Sequence, residues 1–125
     1  MRPRVLLGNL EPLVRLGMSV VLQEDGIDVV GEEERPGALL LMAGRLRPDA
    51  VILDLHRPDS RMLTERVRAA APDATVILWA RDEDAMEIFD PGSVTPRRFS
   101  SDLPEELRGE LTASTARSSI PRVEE

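Results

Sequence analysis

Short apolar runs alternate with longer segments in which apolar residues recur every three or four positions. The runs lie at residues 4–7, 27–30, 50–53 and 75–79 and are rich in Val, Ile and Leu. Runs of this length and continuity fit strands buried on both faces, as in a parallel sheet. The first helical segment, residues 12–24, places Leu13, Leu16, Gly17, Val20, Val21 and Glu24 at helical spacing. The second, residues 36–46, opens with proline at a first helical position and carries Leu39, Leu40, Met42, Ala43 and Leu46. The third, residues 60–71, offers Ser60 as a cap and Leu63, Val67 and Ala70 as its apolar stripe.

The pattern weakens after residue 80. Residues 82–89 read as a short helix capped by Asp82 and stopped by Asp90, Pro91 and Gly92. Residues 97–100 make a poor strand, assigned because the alternation needs a partner there. Asp102 with Glu105 resembles a capping box that opens a helix to about Thr112. From Ala113 onward the chain is small and polar, so residues 1–112 are expected to form the domain and 113–125 a linker or disordered tail.

Five strand–helix units with short connections imply an α/β domain with right-handed crossovers. The expected architecture is a flavodoxin-like, three-layer (βα)5 sandwich around a parallel five-stranded sheet in the order 2-1-3-4-5. Ligands in such sheets bind beyond the carboxyl ends of strands 1 and 3. That order sets the loop Gly8–Asn9–Leu10–Glu11 beside Asp54, which closes the third apolar run.

Composition narrows the choice of function. The 125 residues carry a net charge of −7, and approach to phosphates by so acidic a chain is repulsive. Trp79, Phe89 and Phe99 are the only aromatic residues, too few for single-strand stacking platforms, so no direct nucleic-acid contact is expected. The absence of cysteine removes disulfides, thiolate metal sites and cysteine nucleophiles, and the single histidine, His56, excludes a multi-histidine metal site within one chain. No segment approaches the roughly 20 apolar residues of a membrane span, and no apolar signal core opens the sequence, so a cytoplasmic, non-membrane protein is expected.

Asp54 is the residue best placed for chemistry, and the stretches around it carry a resemblance. "RVLLGNLEPLVRLG", "DVVGE", "RPDAVILDLHRP", "RVRAAAPDATVILWA" and "DLPEEL" resemble the receiver domain of two-component response regulators, in particular the NarL/FixJ-type branch. The likeness runs from about Arg4 to Leu111. It implies a phosphoacceptor aspartate at Asp54, followed by the family's proline at Pro58. It also implies Mg²⁺ held by two acidic residues after strand 1, by the phosphoacceptor and by a backbone carbonyl two residues later.

The chain departs from that pattern at nearly every other position. The acidic pair falls at Asn9 and Leu10, and Glu11 comes one position too late, where it suits a helix N-terminus. The carbonyl of His56 survives. The family's strand-4 hydroxyl falls at Ala80, with Arg81 following where a small residue is usual. The strand-5 lysine falls near Ser101, the aromatic of the switch near Arg98 or Phe99, and no lysine exists anywhere in the chain. Two residues are missing after Pro58.

These losses have a size. A carboxylate that attacks a phosphoryl group needs positive charge to offset the crowded oxygens. One carboxylate with substrate phosphate can still hold Mg²⁺, so Asp54 remains a weak candidate ligand. The missing lysine and hydroxyl contacts are each worth about 1.5–3 kcal/mol, together several decades in adduct stability. The resemblance therefore implies a degenerate receiver, not an enzyme and without a resident cofactor. It would act through protein partners, in transcription regulation, with a homodimer through helix 4, strand 5 and helix 5. Arg81 or Arg57 could pair with Asp54 in place of phosphate.

Two rivals follow from the same residues. One is a conventional receiver phosphorylated at Asp54 and controlling a DNA-binding domain outside these residues. The other is a small-molecule sensor using the pocket that Leu10, Trp79 and Ala80 make apolar, which requires that pocket to be open. The Asp-x-His start of a cobalamin pattern at "DLHRPD" lacks the following glycine, and the first loop lacks a Ser/Thr-rich flavin-phosphate cradle. Met18, Met42, Met62 and Met86 are expected in helices, filling core or interface gaps.

Overall fold

A computed structural model describes residues 2–80 and 85–99. Strand β1 (Arg4–Leu7) leads to helix α1 (Pro12–Glu24), β2 (Asp28–Glu32) to α2 (Pro36–Leu46) and β3 (Ala50–Asp54) to α3 (Ser60–Ala70). Three further strands follow, β4 (Thr75–Ala80), β5 (Ala85–Phe89) and β6 (Arg97–Phe99). They form one six-stranded sheet in the order β2-β1-β3-β4-β5-β6. The first four strands of the chain are parallel, whereas β5 runs antiparallel to β4, and β6 to β5.

The first three units form for the reasons their sequence supplies. Pro12 and Pro36 sit in the first turns of α1 and α2, where the missing N–H is no loss. Gly26, at φ 81°, turns the chain out of α1 as Ile27 N–H reaches back to Leu22 O at 2.9 Å. Val51 and Leu53 of β3 point towards α2 and α3, into a cluster with Leu6, Leu39, Leu63, Val67 and Leu78. Ala50 and Ile52 face the other way, with Val5, Leu7, Met18, Leu22, Ile77 and Ile88 beneath α1. The sheet is thus the middle layer of three. Gly8 ends β1 where space is shortest, since a Cβ there would stand 2.3 Å from Leu53 Cδ2.

The fourth unit corrects the sequence reading. Residues 82–89 do not make a capped helix; Ala85–Phe89 is a strand, paired with β4 in the register Trp79↔Met86 and Leu78↔Glu87. Four residues separate Ala80 from Ala85, and a parallel crossover needs a dozen or more, so the chain can only fold straight back. The period of two is visible once the strand is known: Met86 and Ile88 face α1, while Glu87 and Phe89 face α3. The strand expected at 97–100 exists as β6, but it pairs with β5 and not with β4, and the sheet is mixed with six strands. Met86 accordingly fills the core from a strand, not a helix.

The loop from β5 to β6 is pinned by side chains. Arg97 Nε and Nη2 donate to the Asp90 carboxylate at 2.7 and 2.9 Å. Arg68 donates to the carbonyls of Asp90 and Ser93 and lies 5.5 Å over the Phe89 ring. The helix expected at 102–112 and the tail at 113–125 lie outside the described residues.

Candidate functional site

At the carboxyl edge of β1 and β3, the backbone brings Asn9, Leu10 and Asp54 together. Gly8 N–H donates to Ile52 O at 2.8 Å, so the loop leaves β1 pressed against β3. Asn9 follows, fully buried, and its amide does three things. Its Oδ1 accepts the backbone N–H of Asp54 at 2.9 Å. Its Nδ2 donates to Ser60 Oγ at 3.0 Å and to Asp59 Oδ1 at 3.4 Å. The Ser60 hydroxyl in turn donates to the Asp54 carbonyl. Only an amide both donates and accepts in this way; a carboxylate would leave Ser60 and Asp59 without their donor.

Ser60 is not the helix cap that the sequence suggests, but a link in this network. Asp59 occupies the N-cap position of α3, without a side-chain cap bond, and Ser60 lies inside the first turn. Nothing in the local sequence signals this use of Ser60 or Asp59, because the partner, Asn9, is some fifty residues away.

The Asp54 side chain lies at the strand end, partly exposed, with Oδ1 accepting the His56 N–H at 2.9 Å. His56 itself is exposed. Arg57 donates its backbone N–H to the Asp54 carbonyl at 3.4 Å, while its guanidinium Nη2 lies 3.8 Å from Glu34 Oε1. Ala80 is buried at the end of β4, paired with Ala85. Arg81 and Ser101 lie outside the described residues.

Leu10 decides the character of the site. It is 2% exposed and packs in the core cluster beneath α1, together with Met86 and against Trp79. The position that would carry a second metal-binding carboxylate thus holds an apolar side chain turned into the core. For the Mg²⁺ that the resemblance implies, the donor set fits poorly. Asn9 has both ends of its amide committed, Leu10 offers no donor, and no group of three or more His, Cys, Asp or Glu residues is set for a metal among the described residues. Leu10 and Met86 belong to one buried cluster, against which Trp79 packs while remaining partly exposed.

A second polar feature was not visible in the sequence. Glu87, read as helical, is buried in β5 on the α3 face, and its Oε1 has no hydrogen-bond partner. Arg61 and Arg98 stand 3.7 and 3.9 Å from its two oxygens, both largely exposed.

With this geometry in view, known proteins can be compared. No family profile matches the chain. Over 98 residues it is 26% identical to a "Protein-glutamate methylesterase/protein-glutamine glutaminase 3" from Hahella chejuensis, covering 73% of this chain and 28% of that protein. Over 84 residues it is 29% identical to a "Putative transcriptional regulator" from Pseudomonas aeruginosa, covering 66% of this chain and 41% of the relative. A solved structure of the anti-anti-sigma factor PhyR, complexed with the anti-sigma factor NepR from Bartonella quintana, superposes with a TM-score of 0.53. The match has 15% identity and covers 94% of this chain and 48% of PhyR.

The likeness is one of fold. It supports a receiver-type, flavodoxin-like α/β domain with a mostly parallel sheet. The chain spans less than half the length of each of these proteins. No helix among the described residues is long and apolar enough to cross a membrane.

Proposed function

We propose that this domain is a degenerate receiver that signals through contacts with other proteins, independently of phosphorylation at Asp54. The observation that carries the reading is the Asn9 clamp. In a working phosphoacceptor site the loop after strand 1 must present charge to a metal ion, whereas here its amide ties Asp54 and α3 to β1. Leu10, buried beside it, and Ala80, which has no hydroxyl, remove two further contacts that would stabilise a phosphoryl adduct. The domain is on this view neither an enzyme nor the holder of a cofactor. It works in the cytoplasm on protein partners in transcription regulation and leaves nucleic acid to others. The solved complex of PhyR with NepR supports the partner class, since a protein of similar fold is there joined to another protein.

The test is intact-protein mass after incubation with acetyl phosphate and Mg²⁺, paired with fluorine NMR in beryllofluoride. The expected result is no adduct by either method. A stable adduct that disappears in Asp54→Asn would overturn the reading and make this a conventional, phosphorylated receiver.

A further inference from the structure

We draw no further inference here: the strongest candidate, the outward aliphatic face of α1 formed by Leu13, Leu16, Val20 and Val21, carries none because nothing in the structure shows what covers it.

Discussion

Consider Asn9→Ala. The wild-type amide accepts the Asp54 N–H at 2.9 Å and donates to Ser60 Oγ at 3.0 Å, with a longer, weaker contact of 3.4 Å to Asp59. Two sound hydrogen bonds contribute about 1–3 kcal/mol net, and an Asp54 N–H left without a partner adds to the loss as far as water is kept out. Asp54 is only partly buried, so water makes up some of it. The expected destabilisation is about 2–4 kcal/mol, or roughly 10–20 °C in melting temperature for a domain of this size. Trp79, the single tryptophan, packs against the same core cluster as Leu10 and reports urea unfolding by fluorescence. A loss under about 0.5 kcal/mol with an unchanged urea dependence would refute the clamp.

Asn9→Asp separates the donor from the acceptor. Its carboxylate can still accept from Asp54 N–H, but it loses the donor to Ser60 and faces the Asp59 carboxylate. Burial and that like charge raise its folded-state pKa above the unfolded value near 3.9. Its destabilisation is thus full above the raised pKa and fades as pH falls towards about 4. A variant equally unstable at pH 7 and pH 4.5, relative to wild type at each pH, would contradict this.

Two further substitutions probe the scaffold. Arg47 caps α2 in the left-handed region at φ 47°, with its side chain exposed, so Arg47→Gly should raise stability by roughly 0.5–1 kcal/mol in the same urea assay. Glu87→Met should leave the melting temperature unchanged or higher, because it removes a buried carboxylate with one unbonded oxygen and keeps the volume; a drop of several degrees would show that Arg61 and Arg98 hold it more firmly than 3.7 and 3.9 Å suggest.

Much of the first half was legible because local and global signals agree there. The apolar runs of β1 to β4 and the prolines opening α1 and α2 give both element type and order. The error at 82–89 has a simple cause. Asp82 looks like a cap, and over so few residues Met86, Ile88 and Phe89 satisfy either period; the short span to Ala80, which forbids a crossover, decides for strand. The outward face of α1 was hidden differently, since Leu13, Val14, Leu16, Met18, Val20, Val21 and Leu22 make the helix apolar nearly all round. At the site, Asn9, Leu10 and Asp54 could be placed by topology. The tie from Asn9 to Ser60 could not, because pairing across fifty residues leaves no trace in local spacing.

The hairpin that replaces the fourth crossover also bears on how the chain finds its structure. Pairing β1 with β3 brings together segments about 45 residues apart, with α1, β2 and α2 between them. The strands β4, β5 and β6 instead pair with immediate neighbours in the chain, and closing such short loops costs less entropy. An α/β domain of this kind thus carries within it a meander able to assemble early. Amide exchange during refolding would then show protection at residues 76–80 and 85–89 ahead of residues 4–7, reversing the order in which the ribosome releases them.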